Sequence, residues 1–176
     1  MSDLCHSFPP VAKKNAVILI LGALPSVLSL EKCENYGNPQ NHFWRLVYAL
    51  FGKTPDEEYE KKTAFLYSKK IALWDSIASA NRRGSLDGAI KNVVPNDFDS
   101  FFVQHTHIKH VFFNGAKSEA VFKKHFPHLC AAVPHTRLPS SSPIPTSKIR
   151  NFEQKLAAWS VVKNVWDELN ISRPFY

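Results

Sequence analysis

The residues whose types and spacing could do chemistry concentrate between Gly22 and Trp44, in the stretch GALPSVLSLEKCENYGNPQNHFW. Glycine at 22 permits a tight change of direction, Pro25 stiffens the turn, and Ser26 and Ser29 offer hydroxyls beside free backbone N–H groups that can hold a phosphate. Tyr36 follows, a few residues before Asn38-Pro39-Gln40-Asn41, whose side-chain amides both donate and accept hydrogen bonds. An aromatic face, amides and a phosphate-sized turn are the parts that recognition of a nucleobase requires.

The elements that must position these groups can be read from the patterning. Ala16 to Leu21 is an uninterrupted apolar run, so a buried strand is expected from about Asn15 to Leu21. The Gly22 block then starts at the strand's carboxyl end, where open α/β sheets place their ligands. Phe43 to Phe51 reads as a helix ended by Gly52. Thr54-Pro55-Asp56-Glu57 has a capping hydroxyl, an early proline and acids near the positive dipole end, which predicts a second helix to about Lys69. Ile71 to Asp75 is a second strand, and Asn81 to Asp87 a loop into a short helix capped by Ser85. Asn96 to about His105 is another helix. His110 to Gly115 is a third strand whose end again carries an amide, Asn114, followed by a helix over Ala116 to His125.

Ala131 to Thr136 reads as a weaker fourth strand leading into the hydroxyl- and proline-rich loop from Leu138 to Pro145. Ile149, Phe152, Leu156, Trp159, Val162 and Trp166 recur at helical spacing, so a helix from Ser147 to about Asn170 lies against the sheet as core rather than chemistry. Met1 to Lys14 is a polar leader along the sheet edge. Strands alternating with helices predict a three-layer α/β/α sandwich with a mainly parallel sheet of about four strands, in one domain over residues 1–176.

With 22 Lys and Arg against 15 Asp and Glu, the net charge is +7 and the pI about 9.4, which favours encounter with a polyanion. Cys5, Cys33 and Cys130 form no CxxC pair, and His105, His107 and His110 have no carboxylate or thiol at ligand spacing. Neither a disulfide framework nor a metal site is expected, and no cofactor motif stands out. The longest apolar run is too short to cross a bilayer, and no basic start precedes an apolar leader. These features predict a monomeric, soluble protein of a reducing compartment, cytoplasmic (nucleoid-associated) or nuclear, with no membrane partner.

Gly22-Ala-Leu-Pro-Ser26, Tyr36-Gly37-Asn38-Pro39-Gln40-Asn41 with Phe43-Trp44, Ala72 to Asp75, Gly84 to Asp87, Phe113-Asn114-Gly115 and Leu138 to Pro143 carry a resemblance in that order along most of the chain. Together they resemble the hypoxanthine-DNA glycosylase family of the uracil-DNA glycosylase superfamily. The resemblance implies that superfamily's sheet with flanking helices and excision of deaminated bases, chiefly hypoxanthine, from DNA without a metal or cofactor. The first block is also similar to the mismatch-specific uracil branch, which begins Gly-x-Asn-Pro-Gly; here Leu24 stands where that branch has the asparagine that positions the attacking water. That departure argues against uracil specificity.

Carried over position by position, the resemblance makes Tyr36 the aromatic that stacks on the extruded base and Asn41 and Asn114 the catalytic carboxamides. An amide is no general base at neutral pH, yet it can orient a water and donate to a purine atom as negative charge builds there. Gly22, Leu24 and Pro25 complete the base pocket. Ser26, Ser140, Ser141 and Ser142 clamp phosphates, Ile144 is the wedge that fills the gap left by the base, and Lys148 with Arg150, Lys13-Lys14 and Arg82-Arg83 adds phosphate attraction. The plainer alternatives are that Asn41 caps the next helix, Asn114 caps a strand-end turn, and His135 is a satisfied polar residue. Asp75 is read as a structural carboxylate receiving backbone N–H groups of the next loop, although at a strand end it could activate water. No lysine suits a Schiff base, so a monofunctional glycosylase is expected. A uracil- or mismatch-specific glycosylase and a non-catalytic DNA-binding module of the same fold remain the alternatives.

Overall fold

A computed structural model describes residues 3–171. Its elements in chain order are β1 (Leu4–His6), β2 (Ile18–Gly22), α1 (Val27–Lys32), α2 (Phe43–Ala49), α3 (Tyr59–Ser68), β3 (Ile71–Asp75), β4 (Ile77–Asn81), a 3-10 turn (Asp87–Ala89), β5 (Lys91–Pro95), α4 (Phe98–Gln104), β6 (His110–Asn114), α5 (Ala116–His125), α6 (Pro127–Ala132), β7 (His135–Leu138) and α7 (Phe152–Ile171).

A four-stranded parallel sheet in the order β3-β2-β6-β7 forms the centre. Because successive strand residues point to opposite faces, β2 divides its apolar side chains between two cores. Ile18 and Ile20, with Leu73 and Phe112, pack against Phe43, Trp44 and Leu46 of α2, Leu66 of α3 and Trp159 and Val162 of α7. Leu19 and Leu21, with Ala72, Val111 and Phe113, pack against Phe98 and Phe101 of α4, Phe122 of α5 and Phe126 before α6. This is the expected three-layer α/β/α arrangement, buried on both faces as parallel sheets are.

The small second sheet was not legible in the patterning. Its strands β1, β4 and β5 pair antiparallel in the order β1-β4-β5. Ile77 and Ala80 of β4 pack with Leu24, Ile90 and Val121 in a separate apolar cluster. β4 is mostly small residues and β5 mostly exposed, so neither shows a strong alternation. The leader is accordingly tied down: β1 pairs with β4, and Val11 bridges to Leu73.

Several expected boundaries move, among them the start of the C-terminal helix, which is Phe152 rather than Ser147. The helix predicted from Thr54 begins instead at Tyr59, because the Asp56 carboxylate accepts a 2.8 Å hydrogen bond from Tyr48 Oη and residues 54–58 run as a loop. Ala131 and Ala132 belong to α6, which has proline in its first turn, and the fourth strand starts after Pro134. Ser85 does not cap a helix; its hydroxyl accepts from the backbone N–H of Val27, tying the 82–88 loop to α1.

Candidate active site

The parallel strands β3, β2 and β6 end side by side at Asp75, Gly22 and Asn114, with Gly22 in register with Asp75. These carboxyl ends form the floor of a cavity of about 450 Å³. A Cβ at position 22 would stand 2.6 Å from Asp75 Oδ1 and 2.7 Å from Tyr36 Oη, so only glycine lets the carboxyl and the phenol approach this point.

Tyr36 has a left-handed backbone, φ 54°, a conformation that costs a non-glycine residue on the order of 1–3 kcal/mol. Its ring stacks on Phe43 with centroids 4.0 Å apart and 12° between planes, and its hydroxyl accepts a 2.8 Å hydrogen bond from Asn114 Nδ2. One ring face is therefore covered by Phe43, and the tyrosine lines the cavity. Burial, and then the Asp75 charge, push the phenol's ionisation up, so it stays a neutral hydroxyl.

Asn114 bridges three parts of the site. Besides Tyr36, its Nδ2 donates to Ser141 Oγ at 2.8 Å, and its Oδ1 accepts from the Ser141 backbone N–H at 2.8 Å. Gly115 follows with φ 95°, and a Cβ there would meet Ser140 Cβ at 3.3 Å, so the strand-end turn and the serine loop lie against each other. Asn41 Oδ1 accepts from the Phe43 backbone N–H at 2.9 Å, a local turn bond ahead of α2; the cap position is His42, which has no side-chain cap bond, so Asn41 is not the helix cap given above as its plainer reading.

The remaining predicted groups form the rim. Ser26 caps α1, its Oγ accepting from Ser29 N at 3.1 Å and lying 3.0 Å from Ser29 Oγ. Leu24 packs in the cluster with Ile77 and Ile90. Ser140 Oγ accepts from Ser142 N at 3.2 Å, Ser141 is buried with its carbonyl accepting from His42 N, and Ile144 is 61% exposed. Gly22, Leu24, Pro25, Ser26, Tyr36, Asn41, Asn114, Ser140, Ser141, Ser142 and Ile144 all line the one cavity, whereas Lys148 stands outside that lining on the exposed surface.

Three assignments need correction. Arg82 is not a surface phosphate contact: it is 4% exposed, and its guanidinium donates to the carbonyls of Leu24 and Pro25, bracing the turn that opens the site. Asp75 does not collect the N–H groups of the following loop, since Ser76 N and Ile77 N donate to the carbonyls of Gly22 and Ala23. Burial raises the Asp75 carboxyl to about 7, against the lowering influence of Arg82 and with a further rise from Asp87.

Nor is α7 core alone. Lys155, 5% exposed, donates from Nζ to Ser142 O at 2.6 Å and lies 3.2 Å from His42 Nδ1; Trp159 Nε1 donates to Pro139 O at 2.8 Å. Burial lowers the pKa of Lys155. A signal for it existed: Lys155 falls three residues after Phe152 and four before Trp159, on the helix's apolar face, where an unpaired lysine is out of place. Arg82 and the proximity of Asp75 to Tyr36 had no local signal. His135 is half-buried, its Nδ1 lying 3.2 Å from Val133 O.

The parallel sheet's strand ends carry a carboxyl, a glycine and a carboxamide beside a stacked tyrosine and a serine-proline loop, and known relatives place the chain among the DNA glycosylases of the uracil-DNA glycosylase fold. A hypoxanthine DNA glycosylase of Methanosarcina acetivorans is 42% identical over 114 residues, 64% of this chain and 72% of the relative, and one of Methanosarcina barkeri is 39% identical over the same shares. The chain belongs to the hypoxanthine DNA glycosylase family. A solution NMR structure of a candidate uracil DNA glycosylase from M. acetivorans superposes with a TM-score of 0.78 at 34% identity, covering 93% of this chain and 99% of that one. No family model matches the sequence.

Proposed function

We propose that the protein is a monofunctional DNA glycosylase that extrudes a deaminated base, chiefly hypoxanthine, and hydrolyses its N-glycosidic bond to leave an abasic site. The names of the two Methanosarcina relatives support the substrate. The observation that carries the reading is the convergence of Tyr36, Asn41 and Asn114 on one cavity of about 450 Å³, ample for a flipped purine.

In this reading the base stacks beside Tyr36, worth roughly 1–3 kcal/mol. Asn41 Nδ2 donates to the base or orients the attacking water, and Asn114 holds the leaving-group side in place. Such a preorganised donor contributes roughly two to three decades in rate. Ile144 fills the vacated stack, the serines clamp phosphates, and Lys148 adds salt-dependent attraction. None of the described residues lining the cavity is a lysine, which favours hydrolysis by water over a Schiff base. The protein acts as a monomer, without a metal or cofactor, in whichever compartment holds the DNA.

The test is base release from duplexes carrying a single hypoxanthine or uracil. Hypoxanthine should be released, and Asn41→Ala and Asn114→Ala should lose release while keeping salt-sensitive binding. No release of either base leaves only a DNA-binding module, and a borohydride-trapped adduct removes the monofunctional assignment. Uracil is the second substrate reading, favoured by the assignment of the M. acetivorans structure; faster release of uracil would reverse the preference.

A further inference from the structure

Asp75 is a buried carboxyl, 6% exposed, that the roles given so far leave unused. Its backbone carbonyl accepts from Asn96 Nδ2 at 2.8 Å, and the N–H groups after it are satisfied by Gly22 and Ala23. These bonds fix the main chain at the end of β3, while the side chain lines the cavity beside Gly22, Tyr36 and Asn114. Its Oδ1 and the Tyr36 hydroxyl flank the same point, the vacant Cβ position of Gly22.

The chemistry of a purine leaving group asks for something at this place. As the N9–C1′ bond of a hypoxanthine nucleotide loosens, its electron pair moves onto the base. Uracil can depart as an anion spread over its two carbonyl oxygens, whereas hypoxanthine leaves more readily if N7 takes a proton. A carboxyl that keeps its proton near neutral pH is a suitable donor. The groups facing Asp75 bear on that proton: Asp87 from the 3-10 turn holds it on, Arg82 after β4 works against it, and the neutral Tyr36 phenol adds no charge. Lys117 of α5 acts on Asp87.

We propose that Asp75 is the proton donor to the departing purine, an assignment that rests on the hypoxanthine-excision reading above. Its carboxyl proton passes to N7 as the N9–C1′ bond breaks, and the bonding pair stays with the base, which leaves neutral. Water bonds to C1′ and releases one proton to solvent, and the Asp75 carboxylate recovers a proton from solvent. One water is consumed, one base and one abasic sugar are formed, and the enzyme returns to its starting state.

The test is single-turnover base release, from about pH 5 to 9, by wild type and Asp75→Asn on duplexes carrying hypoxanthine or its 7-deaza analogue, which lacks the N7 acceptor. Wild-type release of hypoxanthine should fall by about tenfold per pH unit above neutrality; Asp75→Asn should be about 10²- to 10⁴-fold slower with a flat profile. The 7-deaza base should leave slowly from wild type and no more slowly from the variant, an equality that a merely structural role does not produce. Binding of Asp75→Asn to the hypoxanthine duplex at wild-type affinity shows that the site is intact. The assignment is overturned if the variant stays within about threefold of wild type with the same pH profile, if it loses binding along with release, or if wild type releases the 7-deaza base as fast as hypoxanthine. Absence of hypoxanthine release by wild type overturns both this assignment and the reading beneath it.

Discussion

The floor of the cavity and its rim are held by different means. Gly22, Asp75 and Asn114 terminate adjacent parallel strands whose apolar residues are almost wholly buried, and the polar groups among them have their backbones fixed by the ladder. On the rim, Ser26, Ser140, Ser142 and Ile144 sit on loops; Ile144 is 61% and Leu86, which also lines the cavity, 64% exposed. The serine loop keeps its shape through three side chains from elsewhere: Asn114 on Ser141, Lys155 on Ser142 and Trp159 on Pro139. The floor is thus held by strand pairing, and the serine loop by side-chain bonds to its backbone.

The change expected to impair stability and base release together breaks the link between the two regions. Asn114→Ala removes the hydrogen bonds to Tyr36 and Ser141 together, so base release should fall by roughly two to three decades and stability by about 2–4 kcal/mol. Single-turnover kinetics and urea unfolding measure the two, and wild-type release by a folded variant would separate the floor from the chemistry.

The next effect concerns the floor alone. The folded Asp75 carboxyl holds its proton up to about pH 7, whereas in the unfolded chain it is released near its ordinary 3.8. The folded state therefore binds more protons across that window, and this residue's contribution to stability declines as pH rises through it. Asp75→Asn should be more stable than wild type above neutral pH, by on the order of a few kcal/mol, with the gain growing from about pH 4 to 7 and then levelling off. Melting curves across that range that stay parallel for the two proteins would argue against a buried, unpaired carboxyl.

The rim should respond more gently. Lys155→Met keeps the stem of a buried lysine and removes its hold on Ser142 O, so the fold should lose little stability while amide exchange over residues 140–146 speeds up and base release slows by about tenfold, roughly 1.4 kcal/mol of positioning. Unchanged exchange would mean that Asn114 and Trp159 keep the loop without it. Smallest of all, Lys148→Ala should leave the release rate of bound DNA alone, weaken binding alike for damaged and undamaged duplexes, and lower the salt slope by about one. A selective loss on damaged DNA would bring that lysine nearer the base than its exposed place outside the cavity lining suggests.

Much of the floor was legible because its signals are local. The apolar run before Gly22 marks a strand by composition alone, and His110–Asn114 with Ala116–His125 emerge as predicted because an apolar strand, a glycine and an amphipathic helix follow one another directly. The rim and the second sheet were harder. Arg82 looks like one half of an exposed basic pair until β4 turns it inward onto Leu24 and Pro25, and Lys155 looks like one more charge on a helix until α7 is docked. Asn41 lies on the cavity wall with its oxygen bonded to the Phe43 N–H, a placement that sequence spacing alone does not reveal.

By itself the sequence determined the strand–turn–helix units, since each depends on residues close together along the chain, and their alternation implied a parallel sheet. Tertiary structure alone decided that Asp75, Tyr36 and Asn114, drawn from distant segments, meet around a glycine with no side chain. The register of β2 against β3 and β6 sets that meeting, and register is fixed by burying both faces of the sheet at once, a condition on the whole chain that no stretch of it carries alone.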